Sequence, residues 1–225
     1  MNYVRWLGHA AFEVFLKGKL FLIDPWLTNP KSPVKVSDYA GKVDYIIVTH
    51  DHGDHFGEAL ELMKVSPKAK FIGIFELAQY VEEKFSGRSI GANIGGPIDL
   101  SEGFEVILTP AYHSSSRGSP TGVVIKVGDY SIYHAGDTGL FAEMSLIGEL
   151  YEPKIALLPI GGHFTMGPKE AAKAIELLKP KVVIPMHYGT FPVIKGTPEE
   201  LKEEVKRRGL TVDIVVLQPG EKYEF

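Results

Sequence analysis

Short apolar runs separated by turn residues dominate the chain from residue 2 to residue 134. The run VDYIIVT at 43–49 is continuous and rich in β-branched and aromatic residues, which is typical of a strand buried on both faces. Two apolar runs around Lys17-Gly18-Lys19 predict a hairpin, and Gly128-Asp129 predicts a second one. The strands predicted in this part are Asn2–Leu7, Ala10–Leu16, Leu20–Asp24, Val43–Thr49, Phe71–Ile74, Phe104–Pro110, Gly122–Val127 and Tyr130–His134.

The last third of the chain alternates between apolar strands and helical patterns. Thr197-Pro198-Glu199-Glu200 is a capping box with proline at the first helical position, and it predicts a helix that stops at Gly209. The other predicted helices are Glu58–Lys64, Glu76–Phe85 and Pro168–Leu178, and the late strands are Ile155–Pro159, Val182–Pro185, Asp213–Leu217 and Lys222–Phe225. Helices spaced to cover sheet faces favour an α+β layered sandwich of two packed sheets. A single domain over residues 1–225 is expected for this length.

Composition excludes several classes of function. The chain has 24 Lys plus Arg against 28 Asp plus Glu, so its net charge of −4 leaves no basic footprint for nucleic acid. Because there are no cysteines, a disulfide scaffold, a cysteine-ligated metal and a cysteine nucleophile are all excluded. No apolar run of about 18 residues predicts a spanning helix, and the first residues lack the pattern of a signal peptide. We therefore expect a cytoplasmic protein without a membrane partner. A homo-oligomer is compatible with the sequence, which has no pattern that determines the oligomeric state.

A cluster of metal-ligand residue types follows the buried strand at 43–49. His50, His52, Asp54 and His55 lie within six residues, and Gly53 between them is expected to allow a sharp turn. Three later strands also end near such a residue, namely His113, Asp137 and His187. The alternative, a polar surface loop, leaves this repeated placement unexplained. Imidazole and carboxylate ligands suit Zn²⁺ and also Fe, Mn or Ni, so the residue types leave the identity of the metal open.

These motifs resemble those of the metallo-β-lactamase superfamily. The signature is His50-x-His52-x-Asp54-His55 followed by His113, Asp137 and His187, with Asp24 ahead of it, and the resemblance covers nearly the whole chain. The closest likeness is to the small metal-dependent hydrolases of an uncharacterised family within it. The segments that carry this likeness are Gly8-His9-Ala10, Asp24-Pro25-Trp26, His134-Ala135-Gly136-Asp137-Thr138 and Pro159-Ile160-Gly161-Gly162. Ascorbate-6-phosphate lactonase and the N-acyl-phosphatidylethanolamine phospholipase D type are more weakly similar.

The resemblance implies a four-layer αββα sandwich that holds two divalent metal ions. Carried over to this chain, the first-metal ligands would be His50, His52 and His113, the second-metal ligands would be Asp54, His55 and His187, and Asp137 would bridge both. Zinc is the metal expected first. A hydroxide that bridges the two metals would then cleave an ester, lactone or phosphodiester bond of a small-molecule substrate. No protein nucleophile is required, in keeping with the absence of cysteine and of a Gly-x-Ser-x-Gly elbow.

Asp54, Asp24 and His163 are the predicted catalytic residues. Asp54 would act as a ligand, and Asp24 is the candidate to accept the second N–H of a ligating histidine, with Asp51 as a weaker candidate. His163, in a glycine-rich loop, is a candidate general acid or anion contact, with a plain loop histidine as the alternative. The roles of His9, His134 and Arg117 stay open. The rival function is a non-catalytic, metal-containing protein that binds a phosphorylated metabolite.

Overall fold

Fourteen strands form two seven-stranded sheets in the computed structural model, which describes residues 1–225. The chain divides into two units. The first comprises Met1–Asn93, Ser115–Ser119 and Leu217–Phe225, and the second comprises Ile94–Ser114 and Pro120–Val216. Each unit contains one of the two sheets. The expectation of a single domain over residues 1–225 stays a prediction.

The first sheet begins as an antiparallel meander and continues as a parallel sheet. Its strands are β1 (Tyr3–Trp6), β2 (Phe12–Leu16), β3 (Lys19–Ile23), β4 (Tyr45–Ile47), β5 (Lys70–Ile74), β6 (Ser89–Ala92) and β14 (Lys222–Glu224). Their order is β14-β1-β2-β3-β4-β5-β6. Pairs from β14 to β3 are antiparallel, whereas β3, β4, β5 and β6 pair in parallel.

Three α-helices belong to the first unit, and two of them cover its core. They are α1 (Gly53–Phe56), α2 (Ala59–Val65) and α3 (Phe75–Glu82). Leu62 of α2 and Leu77 of α3 pack in one buried cluster with Ile46 and Phe71 of the sheet. A one-turn 3₁₀ helix, Val36–Tyr39, lies in the long loop before β4 and buries Tyr39 in the same cluster.

The second sheet repeats the arrangement of the first. Its strands are β7 (Ile98–Asp99), β8 (Phe104–Pro110), β9 (Thr121–Val127), β10 (Tyr130–His134), β11 (Ile155–Pro159), β12 (Val182–Met186) and β13 (Asp213–Ile214). They pair in chain order. Pairs from β7 to β10 are antiparallel, and pairs from β10 to β13 are parallel. A 3₁₀ turn, Ser101–Gly103, joins β7 to β8.

Three amphipathic helices cover the core of the second unit. They are α4 (Met144–Tyr151), α5 (Pro168–Leu178) and α6 (Pro198–Arg207). The predicted apolar face of α5 is buried with Ile147 of α4 and Leu201 of α6. The predicted capping box opens α6, because Thr197 Oγ1 accepts from the Glu200 N–H and the Glu200 carboxylate accepts from the Thr197 N–H. No helix combines the length and the apolar composition that crossing a membrane requires.

Most predicted elements are present, and four were missed. β8, β10, β11 and α5 have the predicted bounds, while the unpredicted elements are α1, α4, β6 and β7. In α4 the pattern is interrupted by Gly148, whose Cα faces the neighbouring backbone so closely that an added Cβ would lie 2.8 Å from the Leu177 carbonyl oxygen. The helix therefore depends on packing that its own sequence does not display.

Candidate metal centre

The predicted ligands follow the carboxyl ends of strands in both units. In the first unit β3 and β4 are parallel neighbours, so Asp24 and His50, which follow them, lie at one edge of the sheet. In the second unit β10, β11 and β12 are parallel. β8 has the same direction as β10, because each is antiparallel to β9. His113, Asp137 and His187 therefore lie at one edge of the second sheet.

Asp24 is fully buried and orients a predicted ligand. Its Oδ2 lies 2.7 Å from His55 Nδ1 and accepts from Thr49 Oγ1 at 2.7 Å, while Oδ1 accepts from the Thr49 N–H at 2.8 Å. A carboxylate acts as the acceptor in all three contacts, so His55 carries its proton on Nδ1 and presents the lone pair of Nε2. This arrangement is typical of a metal-binding histidine held by an outer carboxylate, which is the role predicted for Asp24.

The same hydrogen-bond chain determines the tautomer of His50. Thr49 has one hydroxyl proton and donates it to Asp24, so at 3.0 Å it accepts from His50 Nδ1–H. His50 Nε2 then carries the lone pair, and it lies 3.0 Å from His52 Nδ1. Two ring nitrogens that face each other in this way suit one shared cation.

Asp54 lies in α1, where its carboxylate meets a histidine that was not among the predicted ligands. Asp54 Oδ2 is 2.9 Å from His9 Nε2 and 3.6 Å from His55 Nε2. One ligand atom from each of these three residues lies within 4.8 Å of the other two. Nitrogen and carboxylate donors grouped in this way can bind a metal ion. The first unit therefore contains a His/Asp cluster able to bind metal.

A glycine positions the signature turn, but it is Gly57 and not Gly53. The chain changes direction at Gly53, where α1 begins after the extended His52, but Gly53 has no positive φ and a Cβ there would meet nothing within 4 Å, so this turn does not require glycine. Gly57 has a φ of 44°, and a Cβ on it would lie 2.4 Å from Trp26 Cα. The turn that ends α1 thus packs directly on the segment that follows Asp24.

In the second unit one carboxylate oxygen faces two histidines. Asp137 Oδ2 is 3.4 Å from His113 Nε2 and 3.1 Å from His187 Nε2. Asp137 and His187 are almost completely buried, and the His113 side chain is 11% exposed. His187 adopts a φ of 53°, a conformation that costs free energy for a residue other than glycine. Strain of this kind is common where a side chain must point at a functional centre.

Two residues next to Asp137 hold its loop in place. His134 Nδ1 accepts from the Gly136 N–H at 3.0 Å, so His134 supports the turn that leads to Asp137. The Thr138 hydroxyl accepts from the Tyr112 N–H at 2.9 Å, and the Thr138 carbonyl accepts from the Met166 N–H at 2.9 Å.

Comparison with known proteins identifies the family. Residues 19–188 match the beta-lactamase superfamily domain. The chain belongs to the metallo-β-lactamase superfamily. A UPF0173 metal-dependent hydrolase of Hyperthermus butylicus is 63% identical over 229 residues, and the match covers 100% of both chains. The prediction of a metal-dependent hydrolase is confirmed, and the non-catalytic alternative finds no support among these relatives.

Solved structures of superfamily proteins confirm the predicted fold class, the four-layer αββα sandwich. Igni18, described as a novel metallo hydrolase from the hyperthermophilic archaeon Ignicoccus hospitalis, has a TM-score of 0.91 and 48% identity. That match covers 100% of this chain and 99% of the Igni18 chain. The metallo-β-lactamase fold protein YhfI of Bacillus subtilis has a TM-score of 0.77 at 14% identity, covers 100% of both chains, and shows the fold alone.

Asp51 and Arg117 form an ion pair. Arg117 Nη1 is 3.1 Å from Asp51 Oδ2, and Asp51 Oδ1 accepts from the Ser115 hydroxyl and the Ser116 N–H. Burial raises the pKa of Asp51, but the hydrogen bonds from Ser116, Ser115 and Arg117 outweigh it and hold that pKa below its usual range. Asp51 contacts no histidine in these hydrogen bonds. Asp51 thus holds Ser115, Ser116 and Arg117, which follow His113 in the sequence.

His163 is exposed and is the least constrained of the predicted catalytic residues. It has a φ of 65°, and its ring lies edge-on to Phe164 with centroids 4.5 Å apart. Its role as a general acid or anion contact stays a prediction. The residue that sequence reasoning missed is His9, whose only signal was its place in Gly8-His9-Ala10 directly after the first strand.

Proposed function

We propose that this hydrolase binds two divalent metal ions, zinc first among them with Mn, Fe or Ni as alternatives, and cleaves an ester, lactone or phosphodiester of a small molecule. The proposed ligands are His50, His52 and His113 for the first ion, Asp54, His55 and His187 for the second, and Asp137 for both. Nitrogen and carboxylate donors without any thiolate suit each of these metals. With a net charge of −4, nucleic acid is not a proposed partner.

The observation that carries the proposal is the position of Asp137 between two histidines. Its Oδ2 faces the Nε2 atoms of His113 and His187 at 3.4 Å and 3.1 Å. In the proposed assignment these histidines bind different ions. A buried oxygen within reach of both nitrogens is suited to bridging, because its negative charge would be shared between two cations.

Two bound ions of this kind would lower the pKa of water from about 15.7 to about 7 and would polarise a carbonyl or phosphoryl oxygen. The chain's own residues prepare this site by controlling protons. Asp24 holds the proton of His55 on Nδ1, and Thr49 holds that of His50 on Nδ1, so both histidines offer Nε2 as a ligand. His9 holds the Asp54 carboxylate in one orientation. His163 is proposed to donate a proton to the leaving group.

The test combines metal analysis with hydrolysis. Wild-type protein and the Asp137→Ala variant are reconstituted with zinc, and bound metal is counted by elemental analysis after gel filtration. Both are then assayed on panels of carboxyl esters, lactones and phosphodiesters. We expect two ions per wild-type chain, and turnover in one panel that falls by at least about a thousandfold in the variant.

Asp129→Ala is the matched control, because Asp129 is exposed in the turn at the opposite end of β10. It should retain both ions and full turnover. One ion per wild-type chain would overturn the binuclear assignment. Unchanged metal content and turnover in Asp137→Ala would overturn the bridging role. For His163→Gln, metal content should be unchanged while kcat falls, and equal kcat would remove His163 from the mechanism.

A further inference from the structure

Exposed apolar side chains gather on the loops that follow the ligand-bearing strands of the second unit. Eight large apolar side chains are strongly exposed in the chain. Three of them, Tyr112, Phe164 and Val193, follow the carboxyl ends of β8, β11 and β12. Single exposed apolar residues are normal on a protein surface, but exposed apolar residues on neighbouring loops at the edge that carries candidate ligands favour a place where a ligand binds.

Hydrogen bonds connect Tyr112, and the loop that carries Phe164, to the segment just after Asp137. Tyr112 exchanges hydrogen bonds with the loop after Asp137, since its N–H donates to Thr138 Oγ1 at 2.9 Å and its carbonyl accepts from Gly139 at 3.0 Å. The loop that carries Phe164 is bound to the same place by Met166, whose N–H donates to the Thr138 carbonyl. The segment that carries the proposed bridging ligand therefore places Tyr112 directly, and it binds the loop of Phe164 two residues farther along, at Met166.

Their rings are also supported on one side and open on the other. Tyr112 packs on the buried Phe141 with ring centroids 5.2 Å apart, yet 58% of Tyr112 is exposed. Phe164 packs on His163 and is 50% exposed. A supported ring with an open face binds flat apolar groups with little loss of side-chain entropy.

The loop after β12, which carries Val193, lies against the loop after β11, which carries Phe164. The Gly196 N–H donates to the Gly161 carbonyl at 3.1 Å, and a Cβ on Gly161 would lie 2.2 Å from the His187 carbonyl oxygen. Val193, 45% exposed, belongs to this loop. The three loops that carry the apolar side chains thus border the segments of His113, Asp137 and His187.

Arg117 gives no support for the recognition of an anionic group. Arg117, the cation in the segment after His113, is engaged with the Asp51 carboxylate and lies over the Tyr80 ring, 4.2 Å from its centroid. Because the guanidinium group already forms an ion pair and lies over a ring, it is poorly placed to bind a substrate phosphate.

We infer that the substrate carries an aromatic or similarly flat apolar group close to the scissile bond, and that this group packs on Tyr112 and Phe164. The inference rests on the proposed hydrolysis at this centre and narrows its substrate class. A phosphorylated metabolite without an apolar group is disfavoured.

The test uses substrate pairs that differ in the apolar group but not in the scissile bond. Methyl acetate is compared with methyl 3-phenylpropanoate, and γ-butyrolactone with γ-phenyl-γ-butyrolactone, with methyl and phenylpropyl phosphodiesters as the third pair. We expect kcat/KM to be at least about tenfold higher for the phenyl member of the productive pair. Phe164→Ala and Tyr112→Ala should remove most of this preference by raising KM for the phenyl member only.

Leu146→Ala and Leu150→Ala are the controls, because both residues are exposed and apolar but belong to α4 and to none of the three loops. They should leave the preference unchanged. Equal kcat/KM within the productive pair would overturn the inference, and so would an equal loss for both members in Phe164→Ala.

A binding measurement separates this inference from the proposed function. Binding of 3-phenylpropanoate and of acetate is measured by calorimetric titration of zinc-loaded and metal-free protein. If no substrate pair is turned over, the proposed hydrolysis fails. At least about tenfold tighter binding of 3-phenylpropanoate, lost in Phe164→Ala, would still support the apolar site. Equal binding of the two carboxylates would overturn it.

Discussion

His9 Nε2 lies 2.9 Å from Asp54 Oδ2, although 45 residues separate the two along the chain. His9 is completely buried, whereas the Asp54 side chain is 24% exposed. The approach depends on a reversal of the chain after β1. His9 has a φ of 53°, and its carbonyl accepts a hydrogen bond from the Trp6 indole. A histidine fixed in this way can hold the carboxylate so that its second oxygen points at a metal.

Replacing His9 should separate a positioning role from a ligand role. Glutamine can place its amide nitrogen near the position of Nε2 and donate to Asp54, whereas leucine cannot. We expect His9→Leu to weaken zinc binding by about 10–100-fold and His9→Gln to restore most of the affinity. Chelator competition measures the zinc affinity of both variants. Backbone strain at position 9 is matched, because both variants carry a residue other than glycine there. An equal loss in the two variants would instead identify the imidazole as a ligand.

Asp24→Asn should weaken metal binding through the tautomer of His55. The amide can turn its NH₂ group toward His55 Nδ1, and this would favour the tautomer that carries its proton on Nε2. We expect zinc affinity to fall about 10–100-fold. Asp44→Asn is the matched control, since Asp44 accepts from the Leu20 N–H at the other end of β4 and asparagine can replace it. Unchanged affinity in Asp24→Asn would show that Asp24 does not direct the proton of His55.

Asp51 should contribute more to stability than its partner Arg117. The Asp51 side chain is 4% exposed and accepts hydrogen bonds from Ser115, Ser116 and Arg117, while the Arg117 side chain is 46% exposed. We expect Asp51→Ala to lower the free energy of unfolding by about 1–3 kcal/mol, and Arg117→Ala by at most about 1 kcal/mol. Denaturant unfolding measures both values. Amide exchange at Ser116 should become faster in Asp51→Ala but not in Arg117→Ala. Equal losses of stability in the two variants would contradict the larger contribution of Asp51.

Replacement by alanine should lower stability much more at Gly57 than at Gly53. At Gly57 the new Cβ would meet the Trp26 backbone and sit at a positive φ, so Gly57→Ala should destabilise the fold by about 3 kcal/mol or more. At Gly53 the space is open and the residue begins a helix, so Gly53→Ala should change stability by less than about 1 kcal/mol. Thermal unfolding compares the pair. Similar destabilisation by both would contradict the close approach at Gly57.

Tyr39 should make stability fall at alkaline pH. Its hydroxyl donates to the buried Glu13 carboxylate, and burial first, then the charge of Glu13, raises the pKa of Tyr39 well above its ordinary value of 10.0. The unfolded chain therefore loses this proton above about pH 10 while the folded chain keeps it, so folding becomes less favourable as pH rises.

Comparing wild type with Tyr39→Phe isolates this effect. Below pH 10 the variant should be less stable by about 1 kcal/mol, because one buried hydrogen bond is lost. Above pH 10 the difference should shrink by up to about 1.4 kcal/mol per pH unit. Urea unfolding between pH 8 and pH 11 measures it. A difference that stays constant over this range would contradict the raised pKa.

Local signals were sufficient for much of the secondary structure. Continuous apolar runs and the Thr197 capping box predicted β8, β10, β11 and α6, since each signal lies within the element that it specifies. β6 and β7 were missed because they are short and only partly buried, so they show little alternation. α1 was missed because its four residues consist largely of the ligand signature.

The sequence by itself determined the family, the order of the strands that carry candidate ligands, and the chemistry of those ligands, because residue types and their spacing are local properties of the chain. Only the tertiary structure decided which groups meet. It paired His9 with Asp54, Asp24 with His55, and Arg117 with Asp51. It also showed that Gly57, and not Gly53, is the position that requires glycine. The physical reason is that proton positions and close backbone approaches depend on distances between segments that are remote in sequence, and hydrophobic patterning does not record those distances.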